Sequence, residues 1–182
     1  MQELNVIDEN DNIIGKDTRE NIHKNGLLHR EIHVWIYNKN GEIIFQRRAK
    51  TKDTYPDLLD ASVGGHVEID DDYLTTAVKE LEEETRIKAE AKDLIYITKM
   101  RRSNLDEKTG MKNNTIRRIY AYEFNGDAKD LKLEEGMATS LEFWKIDRIF
   151  HLNDEERKEF IVSIIDEEYK NVFIRIKDLS GK

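Results

Sequence analysis

The amino-acid sequence predicts an α/β domain built on a mixed sheet. Three observations carry this. Two β-rich runs are joined by a tight-turn dipeptide, a middle segment repeats its apolar residues at helical spacing, and further β-rich runs follow that helix. A length of 182 residues fits one domain better than two that would each need a core. We therefore expect residues 1–182 to form a single unit, with residues 1–28 as an N-terminal extension.

Leu4 to Asp8 and Ile13 to Gly15 flank the turn-prone Glu9-Asn10-Asp11-Asn12, which predicts a short hairpin before a helical turn around Thr18 to Lys24. Ile32 to Asn38 and Glu42 to Arg47 form the main hairpin, because Asn40-Gly41 supplies the positive φ angles that a tight turn requires. Ala49 to Asp57 is polar and holds Pro56, the only proline, so a surface loop is expected. Leu58 to Val63 reads as a short strand ending at Gly64-Gly65. From Asp72 to Thr85, Leu74, Ala77, Val78 and Leu81 recur at helical spacing behind the acidic Asp70-Asp71-Asp72, where a helix N-terminus favours negative charge. Leu94 to Met100 and Thr115 to Phe124 read as strands joined by a polar connection with Gly110 that could move over a site, and Leu141 to Ile146 reads as another strand. Phe160, Ile161, Ile164 and Ile165 place a closing helix over Glu155 to Tyr169.

Composition narrows the function. The net charge is -8 and the basic residues are dispersed, which argues against a nucleic-acid polymer as partner. There is no cysteine, so a disulfide framework, a thiolate zinc site and a cysteine nucleophile are all excluded. The N-terminal stretch has neither a basic region nor a long apolar one. No segment approaches the roughly 20 apolar residues of a membrane span, so a cytoplasmic protein without membrane contact is expected.

The chemistry concentrates in Gly64-Gly65-His66-Val67-Glu68-Ile69-Asp70-Asp71 and the helix carrying Lys79-Glu80-Leu81-Glu82-Glu83-Glu84. Glu80, Glu83 and Glu84 stand at i, i+3 and i+4, within about a 100° sector of one helix face. Like charges held together need a positive group to offset them, and hard divalent cations take oxygen ligands. Two glycines at a strand end let a ligand approach the backbone closely.

Together, the glycine turn, acidic helix start and carboxylate stripe resemble the Nudix box, which here runs from Gly65 to Ile87. The resemblance implies a mixed β-sheet sandwiched between helices and a hydrolase that splits a diphosphate bond. It assigns a structural part to Gly65 and Asp71, metal binding to Glu80, Glu83 and Glu84 with the Gly64 carbonyl, and an orienting or substrate-binding part to Lys79. Lys79 stands where the family has arginine and so lacks the bidentate fork. Asp71 replaces the family's first glutamate, and Arg86 replaces its second glycine. Glu83, Glu84 and Glu135 are the candidates for catalysis, and Mg²⁺ or Mn²⁺ is the implied cofactor.

Leu28-His29-Arg30, His33-Val34-Trp35, Gln46-Arg47-Arg48 and Ser62 to His66 further resemble the branch that includes isopentenyl diphosphate isomerases. His29 and His66 match metal-binding histidines there. The cysteine of those isomerases falls on Gly64, however, and their later carboxylates fall on Asn113 and Thr115, so the proton carriers are missing. The expected substrate is a small phosphorylated molecule, with a nucleoside diphosphate or triphosphate, or a nucleoside diphosphate derivative, preferred. Isomerisation and a non-catalytic nucleotide-binding module are the alternatives. Arg47 is a candidate phosphate ligand among several arginine pairs. Tyr55 is a candidate to stack on a base, whereas Trp35 in its apolar strand reads as core. The N-terminal hairpin offers an edge for a homodimer.

Overall fold

The computed structural model describes residues 2–134 and 136–181. Its centre is β3, His29–Tyr37, which is buried along almost its whole length. It is buried because it has partners on both edges. It runs parallel to β8, Lys112–Glu123, from His29 opposite Thr115 to Tyr37 opposite Glu123. On its other edge it meets β1, Glu3–Ile7, then β6, Val63–His66, then β4, Glu42–Arg48. The remaining strands extend this frame: β2, Ile13–Thr18, pairs with β1; β5, Leu59–Asp60, and β9, Ala138–Lys145, pair with β4; and β7, Ile95–Leu105, pairs with β8. One parallel pairing among antiparallel ones makes the sheet mixed, as the sequence predicts.

Alternation along β3 divides its side chains between two cores. Ile32, Val34 and Ile36 face α2, Tyr73–Thr85, which buries Tyr73, Ala77 and Leu81. Trp35 and Tyr37 face the C-terminal segment, where Phe160, Ile164 and Phe173 pack. The sheet is therefore sandwiched between helical layers. Trp35 is fully buried edge-on against Phe45 and Phe173, so it belongs to the core.

The N-terminal hairpin forms as expected, followed by α1, Arg19–Asn25, but it is part of the sheet instead of an appendage. Asp11 accepts from Arg30 Nε at 2.7 Å and from the Tyr73 hydroxyl at 2.9 Å, tying the turn to the strand and helix behind it. The expected strand over Leu58 to Val63 is split in two, and Gly64 and Gly65 lie inside β6, opposite His33 and Ile32.

Two connections differ from expectation. The polar link after Met100 is a tight hairpin, since β7 continues to Leu105 and Asp106 accepts from the Thr109 backbone and hydroxyl. The helix expected over Glu155 to Tyr169 is also displaced. Only the short α4, Asp154–Arg157, forms there after α3, Ile146–Ile149, and the long helix is α5, Glu167–Ser180. Phe160 and Ile161 are buried as predicted, but in extended backbone bridged to Leu59, with a 3₁₀ turn at Val162–Ile164. Asp166 then caps α5 by accepting from the Tyr169 backbone. Apolar residues at helical spacing can also satisfy a strand edge, and here that pairing wins.

Candidate active site

The acidic stripe is presented by a well-capped helix. Asp72 accepts from the Thr75 backbone at 2.7 Å, and before it the two Asp71 oxygens accept from Lys79 Nζ at 2.8 and 2.7 Å. Asp71 and Lys79 thus staple the entering loop to the second turn of the helix. At the other end Arg86 adopts φ +63°, the left-handed exit that glycine adopts without strain. Arg86→Gly is expected to raise stability by about 0.5–1 kcal/mol, read as a higher urea midpoint with an unchanged slope.

Glu80 and Glu84 line a cavity of about 420 Å³ together with Gly64, Gly65, Gln46 and His66. Glu84 is 4% exposed; it accepts from Gln46 Nε2 at 2.6 Å, and burial with Glu80 nearby pushes its carboxyl up to about 8. Glu80 is pushed up to about 7, by burial first and then by Glu83 and Glu134. Neither has a Lys or Arg within salt-bridge distance among the described residues. Two carboxylates held unpaired in a cavity are a donor set for a hard cation, so the residues present fit Mg²⁺ or Mn²⁺. Glu83 points outward from the same face into solvent.

Gly65 makes room for the Glu80 carboxylate. A Cβ there would overlap the Glu80 carboxylate and come within 2.7 Å of its Cγ. Gly65→Ala is therefore expected to fold, displace Glu80 and lower kcat/KM by about 10- to 100-fold, as measured by steady-state turnover at saturating metal.

The other expected residues are distributed differently. Arg47 is turned away from the cavity, with Nε on Glu142 at 2.7 Å and Nη1 on Glu159 at 3.0 Å. Its neighbour Arg48 lines the cavity instead, braced by Asp60 and the Thr54 carbonyl. A register shift between Arg47 and Arg48 in the pairing of β4 with β9 accompanies this reversal. Lys52 and Arg19 also reach the cavity, and the Lys52 ammonium contacts the Met137 sulfur at 2.7 Å. Lys79 is engaged with Asp71 and is not among the residues lining the cavity. Tyr55 lines it. Glu135 lies outside the described residues.

His23 of α1 joins His29 and His66, with ring centroids 5.0–5.1 Å apart and a ligand atom from each within 4.8 Å of the others. Nδ1 of His23 and of His29 meet the Arg19 and Leu27 carbonyls at 2.8 and 2.9 Å, which places the ring protons on Nδ1 and leaves Nε2 as a lone pair. The Nε2 atoms of His29 and His66 are buried without a partner. Burial holds all three rings below the usual histidine range, His66 at about 3. His23 is not among the residues expected from the sequence, and its place six residues before His29, on a turn of helix, is the signal that could have found it.

These features coincide with what comparison shows. The NUDIX domain model matches residues 27–164, and the chain belongs to that family; Nudix hydrolases act on phosphoanhydride bonds, generally with divalent metals. An uncharacterized Nudix hydrolase of Clostridium acetobutylicum is 28% identical over 186 residues, covering 96% of this chain and 87% of that protein. The Nudix hydrolase YfcD of Escherichia coli is 36% identical over 84 residues, 46% of this chain and 47% of its own length. A crystal structure from Deinococcus radiodurans superposes with a TM-score of 0.67 at 17% identity, covering 96% of this chain and 98% of that one, and shares the fold.

Proposed function

We propose that this protein is a Mg²⁺- or Mn²⁺-dependent pyrophosphohydrolase of a nucleoside diphosphate or triphosphate, or of a nucleoside diphosphate derivative. The observation that carries it is the pair of carboxylates without a cationic partner, Glu80 and Glu84, in a cavity also lined by Arg48, Lys52 and Arg19. Glu80, Glu84 and Glu83, with the Gly64 carbonyl, would hold the metal. When bound, the metal neutralises developing charge on the diphosphate and lowers the pKa of the attacking water. Arg48 and Lys52 bind phosphate oxygens, and the bracing of Arg48 by Asp60 and Thr54 fixes its direction. Asp71 and Lys79 hold the loop at the mouth of the helix. Tyr55, which lines the same cavity, would stack on the organic half of the substrate. Glu83 is the proton acceptor favoured by its exposure beside Glu80, with Glu135 as the second candidate.

The histidine cluster supports a second divalent-ion site, since neutral imidazoles with fixed Nε2 lone pairs suit a borderline transition metal. It is also the observation that favours isomerisation of isopentenyl diphosphate as a second reading. Against that reading, Gly64 and Thr115 offer no proton carrier, and the nearby Glu31 is bound to Arg117 at 2.7 Å.

The test is a panel of nucleotides, nucleotide sugars and isopentenyl diphosphate with Mg²⁺ or Mn²⁺, following phosphate release and product mass. Metal-dependent cleavage of a diphosphate link supports hydrolysis. Isomer formation without phosphate release supports the second reading. Binding without turnover supports a non-catalytic module. Among the described residues no helix is long and apolar enough to cross a membrane. The exposed Ile13 and Ile14 of β2 are where a homodimer contact would be sought by sedimentation.

A further inference from the structure

A second wall of the cavity is built from groups that the metal-binding acids do not use. Arg117 is 4% exposed and holds Glu31 Oε2 through Nε at 2.9 Å and Nη2 at 2.7 Å. Its Nη1 donates to the Tyr169 hydroxyl oxygen at 2.6 Å. That hydroxyl, fully buried on α5, lies 2.9 Å from His33 Nδ1.

Counting protons settles the direction of the chain. Arginine only donates, so Tyr169 accepts from Arg117 and must place its own proton elsewhere. Among the described residues the His33 Nδ1 lone pair is the acceptor within reach. A proton on Nδ1 would instead leave the phenolic O–H buried without an acceptor, an arrangement that buried hydroxyls avoid. His33 therefore carries its proton on Nε2.

The Nε2 edge is the one turned to Gly64. A Cβ at Gly64 would stand 3.2 Å from His33 Cδ2 and 3.4 Å from Nε2, so a side chain there would press on this edge of the ring. His33 is 5% exposed and lines the cavity, and Nε2–H has no acceptor among the described residues. A donor of fixed direction that opens on a cavity and meets no protein acceptor there is arranged for a ligand.

We propose that His33 is a substrate-binding residue that donates its Nε2–H to a phosphate oxygen of the diphosphate, with Tyr169 and Arg117 as positioning residues that fix its tautomer. This rests on the diphosphate reading of the cavity. Burial and the Arg117 and Arg102 guanidinium groups keep the ring neutral, so it contributes a hydrogen bond and not a charge. Alternation along β3 places it on the α5 side of the sheet, while Gly65, one residue past Gly64, turns to Glu80. The substrate's phosphates would thus be gripped from both sides of the glycine pair.

The test uses the whole chain with Mg²⁺ and methylenediphosphonate, a diphosphate analogue whose P–C–P bridge cannot be hydrolysed. Nitrogen-15 NMR of the histidine side chains should show His33 protonated at Nε2, with that proton moving downfield when methylenediphosphonate is added. Glutamine can place its amide nitrogen near the position of Nε2, and asparagine cannot. His33→Gln should hold the diphosphonate within about 3-fold of wild type, while His33→Asn should weaken it by about 10- to 100-fold, the range for a hydrogen bond to a charged group. Proton occupancy at Nδ1, or a His33 signal indifferent to the diphosphonate, overturns the proposal even if neither variant folds. Equal affinity of the wild type and both variants overturns it as well. Failure of the wild type to bind the diphosphonate with Mg²⁺ overturns the diphosphate reading and this proposal together.

Discussion

Glu84→Gln is expected to lower kcat by about three orders of magnitude, the several kcal/mol that a metal ion contributes as a Lewis acid, while making the metal-free protein more stable. The two effects have one cause. Glu84 is buried with Glu80 beside it, and its carboxyl is pushed up to about 8. A carboxyl whose folded-state pKa lies above its unfolded value of 4.5 contributes stability in full below pH 4.5. That contribution is lost as the pH rises through about 8. At pH 8.5 the metal-free wild type therefore bears the cost of a buried charge, and the variant does not. We expect the variant's Tm to be higher by at least about 2–4 °C, corresponding to 1 kcal/mol or more in a chain of this size. Calorimetry in chelator at pH 5.5 and 8.5 should show the difference growing with pH. Added Mg²⁺ should raise the wild-type Tm at pH 8.5 and leave the variant nearly unmoved. A variant that turns over at the wild-type rate would remove Glu84 from the mechanism.

Glu31→Gln is expected to give the largest loss of stability, about 3–5 kcal/mol. Burial alone would raise the Glu31 carboxyl, but the Arg117 guanidinium overrides it and holds the group well below the usual carboxylate range. The amide keeps the shape but leaves Arg117 as an uncompensated charge in a site 4% exposed. A fall in Tm of roughly 10 °C follows, measured at pH 7 by calorimetry. Here the sign is opposite to that of Glu84. The contribution of Glu31 is present above its unfolded pKa of 4.5 and is lost as the pH falls through the depressed folded value, so the variant's acid-unfolding curve should be flatter. Replacing Arg117 by methionine in the same chain should recover part of the loss, because the pair acts as a unit. Equal stability of the single and double variants would show that the buried charge is not the cause.

Much of the catalytic half was legible because it is local. The i, i+3, i+4 spacing of Glu80, Glu83 and Glu84 is a property of one helix, and Asn40-Gly41 announces its hairpin whatever packs on it. Even the close approach of Gly65 to Glu80 is a contact only fifteen residues apart in the chain. Residues brought together across the chain were harder to assign. Arg47 and Arg48 are equivalent by composition. Which one enters the cavity depends on the alternation and register shift of β4 against β9, and on Glu142 and Asp60 as partners. The closing helix starts later than its apolar pattern predicts: Phe160, Ile161, Ile164 and Ile165 have helical spacing, yet the backbone of Glu159 and Ile161 pairs with Leu59.

The sequence by itself determined the family, the acid stripe and the helix that presents it, since these depend on side-chain identity and short-range periodicity. Only the tertiary structure decided that Glu84 is buried and Glu80 half-buried while Glu83 is exposed. It also decided that His23 completes a cluster with His29 and His66, and that Tyr169 orients a histidine 136 residues earlier in the chain. Burial and long-range partners set the protonation and direction of each group, and no local pattern encodes them.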